Sequence, residues 1–357
     1  MTNQHAIPPL RLDSVGDVLA AVPALLGFYP TRSVVLLAHD EVTRRIGATA
    51  RVDLGLTRAG TLRVDCRRHL GAAVRLLRQQ GVDRLLCVVV EERSLAKATP
   101  ALVHALEEHL RAVDADEEDL ELLDLIFVPV LAGGERWVCR HGESGRMADP
   151  ADSPATLAAA FAGRPVRRSR DELIGLLAEE GPGVGEVRCR DVAAHEADDD
   201  PGELLDAVVA AVTAEGAAGP GSLSDDDVAL LGGAVLHTAV RDAAMALGLT
   251  VVAAEARDLF GELARRLRGA PRAAAATLVA SVAYAAGDGP LTGIALEAAL
   301  LADPTYRAAI LMASAFDAGM RPDELAEASR AGFGVAYRLG IVLPPEEGRD
   351  GGFPMTG

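Results

Sequence analysis

Aromatic side chains make up only 3% of this 357-residue chain: one tryptophan, four tyrosines and seven phenylalanines. With 52 acidic against 35 basic residues and a net charge of -17, that scarcity excludes a base-stacking platform or a phosphate-tracking surface. Nucleic acid is not an expected partner. Lysine is scarcer still, since Lys97 is the only one and arginine carries the rest of the basic charge. Arginine-for-lysine usage and an alanine-dominated apolar set match high-GC codon usage, which describes a genome and not a function.

Cysteine is sparse too. Cys66, Cys87, Cys139 and Cys189 stand far apart with no CxxC pair, so the pattern gives reduced thiols rather than a disulfide framework or a zinc site. The longest nearly apolar run, Ala273 to Ala286, stops at 14 residues, short of the roughly 18 of a membrane span. MTNQHAIPPLRLDS lacks the basic and apolar regions of a secretory signal. A cytoplasmic protein with no membrane association, no metal and no cofactor is expected. Catalytic signatures are also missing: there is no GxxxxGK[ST], GxSxG, HExxH or strand-linked GxGxxG.

What is present is a change of pattern along the chain. The first half alternates strand-like and helix-like segments. Ser33 to Ala38 and Arg84 to Val90 are continuous apolar runs of buried strands, while Ala48 to Leu54 alternates and fits a strand covered on one face. Helices are expected from Asp13 to Leu26, with Ser14 and Asp17 as a capping box, from Leu62 to Gln80 ending at Gly81, and from Thr99 to Val113. An acidic run, DADEEDLE, leads into a strand from Leu123 to Val130, and Gly133-Gly134 signals a hairpin into Glu135–Arg140, which holds the only tryptophan. Helix-separated strands read as βαβ units and hence a mostly parallel sheet.

The predicted fold is α/β: an N-terminal, mostly parallel sheet with flanking helices over 10–180, followed by an all-α helical domain over 223–338. Between them, 181–222 reads as an acidic Gly/Pro-containing linker and helix, and 339–357 as a disordered tail. Charge is uneven: Arg190 to Leu230 holds eleven acidic residues and one arginine, more than half of the total net charge. Its triplets Asp198–Asp200 and Asp225–Asp227 read as helix-start charges, the second in a capping box of Ser224 with Asp227. Asp303 with Pro304 reads as a helix start.

Polar constellations worth testing are few. Tyr29, Arg32, Arg51 and Asp53 gather at one strand end, where parallel-sheet proteins bind ligands. His237 and Arg241, with Thr238 and Asp242, form i,i+4 pairs on a helix expected from Leu230 to Leu247. Gly287-Asp288-Gly289 precedes a helix and offers N–H groups to an anion. Cys66 with His69, and Cys139 with His141, are two-ligand fragments without a third partner.

These residues carry a family resemblance. LLGFYPTRSVVLLA (Leu25 to Ala38), RVDL (Arg51 to Leu54), the pair Arg241-Asp242 and the string AYAAGDGPLTGIALEAALLADPTYRAAIL (Ala283 to Leu311) together resemble the actinobacterial DUF4192 family, a domain of unknown function. The likeness spans about Leu10 to Arg330 and implies an actinobacterial, cytoplasmic protein with the family's fold, but no activity. Members often carry several cysteines after the tryptophan, where this chain keeps only Trp137 and Cys139, and a tryptophan where it has Phe260. Together the observations lead to the expectation of a non-catalytic binding or regulatory protein, with a small molecule or protein partner held where the two domains meet. Rival expectations are an enzyme using an Arg/Asp site at that junction, and a self-assembling homo-oligomeric subunit.

Overall fold

The run SVVLLA has no polar face to offer water, and the fold gives it none. In a computed structural model describing residues 14–40, 45–79, 82–93, 99–111, 120–161, 163–214 and 223–347, it opens β1 (Ser33–Asp40). This strand lies inside a six-stranded sheet of order β2-β1-β3-β4-β5-β6, with Val34, Val35, Leu36 and Leu37 all fully buried. The others are β2 (Arg45–Asp53), β3 (Arg84–Val90), β4 (Glu121–Val128), β5 (Arg136–Cys139) and β6 (Ser144–Arg146). Alternation along β2 turns Ala48, Ala50 and Val52 to the side covered by α2 (Val64–Gln79) and α3 (Thr99–Leu110). There they meet Val34, Leu36, Cys87 and Val89 from the sheet and Leu70, Val74, Leu102 and Leu106 from the helices. On the other face Val35, Val88, Ile126 and Val128 are equally buried. Here α1 (Val15–Leu26), capped by Ser14 and closed by Gly27 at φ 72, packs on α4 (Pro154–Phe161) and touches β2.

The sheet is mostly antiparallel, which corrects the expectation of a mostly parallel one. Only β3 and β4 pair in parallel; β1–β2, β1–β3, β4–β5 and β5–β6 are antiparallel. Only residues 41–44 separate β1 from β2, too few for a crossover, so these strands must run in opposite directions. The α2 crossover does make β2 and β3 co-directional, but they are not neighbours: β1 lies between them and bonds to both. The helical connection therefore sets strand direction without setting pairing.

The chain divides into two units, one ending at Arg170 and the other running from Asp171. Past the short helix α5 (Arg170–Gly175), the stretch read as a linker and helix forms two helices, α6 (Glu186–Ala197) and α7 (Pro201–Thr213), which pack on α8 (Asp225–Leu236). Leu204, Leu205, Val208 and Cys189 face inward, while Asp191, Glu196, Asp198, Asp199, Asp200, Glu203 and Asp206 are exposed. The concentrated acidity is the outer face of an amphipathic pair of helices. Asp200 accepts from the Gly202 and Glu203 N–H groups at the start of α7, while Asp198 and Asp199 take left-handed φ of 45 and 55 in the turn before it. At α8 the Ser224–Asp227 capping box is present, as expected.

Beyond α8 come α9 (Thr238–Met245), α10 (Ala253–Arg266), α11 (Ala270–Ala285), α12 (Gly289–Ala302), α13 (Arg307–Asp317) and α14 (Pro322–Arg338). Phe260 is fully buried on α10, a core position. The free carbonyls at the end of α10 are met by arginines and by the segment before α6. Arg272 donates to the carbonyls of Ala264 and Leu177 and lies beside Glu179; Arg268 donates to those of Glu180 and Gly181; the Glu180 N–H bonds to the Arg265 carbonyl. These ties explain why residues 171–180, read as part of the first domain, belong to the second unit.

Residues 341–347, read as disordered tail, run beside 249–251, with Val251 N–H bonded to the Pro345 carbonyl and Arg330 to Glu346 at 2.7 Å. The last ten residues of that tail, Gly81 and most of the acidic run before β4 lie outside the described residues. Among those described, no single helix is long and apolar enough to cross a membrane; α8 with 238–249 passes on length and composition only and bends by 93°.

All four cysteines are free and buried. Burial pushes the Cys189 thiol up to about 11 and that of Cys87 higher still. No thiol should react rapidly with a disulfide-exchange reagent at pH 8, and all four should react once denaturant is added. A fast thiol in the folded chain, followed by absorbance, would contradict this packing.

Candidate functional site

Strand register builds the first candidate site. Ser33 pairs with both Asp53 and Val90, and Val90 with Val128, so the start of β1 and the ends of β2, β3 and β4 reach one end of the sheet. Connections after parallel strands converge at such an end, where ligands bind in open α/β sheets. The loop into β1 is tied down by Gly27 and Tyr29, whose backbone groups bond to Arg167. Ser33, fully buried, donates from Oγ to the Thr31 carbonyl and accepts from Arg51 Nε at 2.8 Å. Arg51 Nη2 bonds to Asp53, and its guanidinium lies 5.7 Å from the centre of the buried Phe28 ring. The shared face expected for Arg51 and Asp53 is thus present as a local ion pair, with Nη1 making no hydrogen bond among the described residues.

Arg32 differs from Arg51. It is exposed, its φ is 47, and among the described residues only its backbone carbonyl is engaged, by the Leu54 N–H at 2.7 Å. Burial, and then the Asp149 carboxylate, push the Tyr29 phenol up from its ordinary value. Sequence reasoning missed Glu91, 7% exposed directly after β3, whose Oε1 accepts the Arg93 N–H at 3.0 Å. The available signal was a carboxylate placed immediately after an unbroken apolar strand, at the end where ligands bind.

The second constellation lies in the helical unit. The single helix expected from Leu230 to Leu247 is broken at His237, whose ψ of 121 ends α8 and starts α9. His237 and Thr238 are therefore exposed at a corner instead of forming a stripe. Arg241 Nε and Nη2 both bond to Asp242 Oδ1, at 3.0 and 2.7 Å, and Nη1 faces the Tyr306 hydroxyl at 3.5 Å. Burial alone lowers the Arg241 guanidinium, but the contacts with Tyr306 and Asp242 outweigh it and raise the group overall. Burial pushes the Tyr306 phenol up, opposed by Arg241. Tyr306 was not singled out from sequence, because 65 positions separate it from Arg241. Asp303 does not start a helix: it holds the Thr305 N–H and hydroxyl in a turn, and α13 begins at Arg307.

The glycine turn resolves differently. Gly287 and Asp288 donate their N–H groups to Tyr284 and Ala283, and the Asp288 carboxylate accepts from Leu291 at the start of α12. A carboxylate of the chain already stands where an anion would bind. Cys66 is buried while His69 is exposed, Cys139 is buried while His141 is exposed, and no group of three metal-ligating side chains occurs among the described residues.

No curated protein and no solved structure matches the chain. A family profile described as a domain of unknown function, DUF4192, matches residues 16–323, which covers the sheet, both constellations and the helices through the start of α14. The chain belongs to the DUF4192 family.

Proposed function

We propose that this chain is a non-catalytic binding or regulatory protein whose N-terminal unit takes a small anionic ligand at the sheet end where β1 begins. The observation that carries this reading is Arg32. A residue other than glycine with φ 47 sits in the left-handed region at a cost of about 1 kcal/mol, and its side chain has no partner among the described residues to offset that cost. Such strain collects where a side chain is needed for something outside the fold. Nearby, Arg51 is fixed by Ser33, Asp53 and Phe28 with Nη1 left over. Two guanidinium groups, one exposed and one fixed, suit a carboxylate or phosphate. Four free thiols agree with action in the reducing cytoplasm.

Native mass spectrometry of the protein purified from its own host should reveal a co-purifying small anion. The Arg32→Gly variant should be as stable as wild type or more stable by up to about 1 kcal/mol, yet lose most of that species. If the variant retains it undiminished, the sheet-end site is wrong. A co-purifying protein chain in place of a small molecule would turn the reading to a regulatory partner.

A further inference from the structure

We infer that the helical unit carries an oxyanion site of its own, built on Arg241 and Tyr306 and suited to a carboxylate or phosphate group. Arg241 is the fourth residue of α9, and side chains on a helix lean towards its N-terminus, so its guanidinium lies over the first turn. Asp242 takes Nε and Nη2 on one oxygen and thereby fixes the guanidinium plane. That leaves Nη1. Its neighbour, the Tyr306 hydroxyl, is 3.5 Å away, beyond the usual range for a bond from a charged donor. Two donors held side by side at that spacing both reach a single oxygen placed between them, and each has a hydrogen to give.

The surroundings favour this use. Arg241 has a side-chain exposure of 17%, low enough to strengthen a charge-assisted bond and high enough for a ligand to arrive. The Tyr306 phenol is protonated at neutral pH, as any unperturbed phenol is, and burial pushes it further in that direction, so it can donate. The other nearby carboxylate, Asp303, is engaged by Thr305. Neither His237 nor Tyr306 caps its helix with a side-chain hydrogen bond among the described residues.

The alternative is a staple between α9 and α13 that binds nothing. Titrating the full-length protein with inorganic phosphate, and separately with acetate, while following its melting temperature separates the two. A rise with either anion is expected, and which anion acts better distinguishes a phosphorylated from a carboxylate ligand. Tyr306→Phe should weaken the response about tenfold and leave the ligand-free melting temperature unchanged, as loss of one charge-assisted bond would. Arg241→Lys, which keeps the charge without the fork, should do the same if Tyr306→Phe folds poorly. The response must persist in Arg32→Gly, so that failure of the sheet-end site is not mistaken for failure of this one. Absence of any anion effect in Arg32→Gly, or an undiminished effect in Tyr306→Phe, overturns the proposal.

Discussion

Replacing Arg272 with methionine is expected to lower the melting temperature of the helical unit by roughly 6–12 °C, at about 2–4 °C per kcal/mol for a domain of this size. The residue is 7% exposed, and its two Nη atoms hold the carbonyls of Ala264 and Leu177. Methionine fills much of the space but offers no donor, so two shielded acceptors lose their partner, at a cost of about 3 kcal/mol in total. Glu179 adds little, because its side chain is 54% exposed. The loss also frees the segment before α6 from the end of α10. Calorimetry on the full chain checks this; a melting temperature within about 2 °C of wild type would mean that other donors reach these carbonyls.

Gly233→Val should be comparably damaging, for the opposite reason. A Cβ at this position would stand 2.5 Å from the Cys189 carbonyl oxygen and 2.6 Å from the Ala193 Cβ, so α6 and α8 touch through the absence of a side chain. Backbone cannot swing aside as a side chain can, and the helices must separate, which costs about 3 kcal/mol through overpacking and lost contacts. Gly175→Ala is the control. Its Cβ meets nothing within 4 Å, so that variant should be neutral or stabilised by up to about 1 kcal/mol. Equal denaturation midpoints for the two variants would refute the close-packing account.

Which features were legible follows from how local their causes are. The helix cap at Ser14, without the reciprocal backbone bond among the described residues that would complete a box, the capping box at Ser224, the apolar strands β1 and β3, and the shared face of Arg51 and Asp53 each depend on residues within a few positions, and each lies where the pattern placed it. Sheet order was not legible, because the crossover through α2 leaves open which edge of the β1–β2 hairpin receives β3. Nor was the corner at His237, since the apolar spacing runs through it without proline or glycine and only tertiary packing turns the chain. At the sites, Arg32 looked like any loop arginine until its φ was known, Glu91 like any surface acid until its burial was, and Tyr306 joined Arg241 only through the fold.

The position of β1 between β2 and β3 has a consequence for how the chain emerges during synthesis. Asp53 completes the β1–β2 hairpin, but β3 does not begin until Arg84, so the second hydrogen-bonding edge of β1 stands open while α2 is being made. That edge belongs to Val34, Val35, Leu36 and Leu37, a short β-prone segment without charge. A nascent chain halted in α2 would present it to any neighbouring strand, whereas one extended past Val90 would not. The exposed interval of β1 therefore lies between those two lengths, after which β3 presents its own second edge until β4 arrives at Glu121.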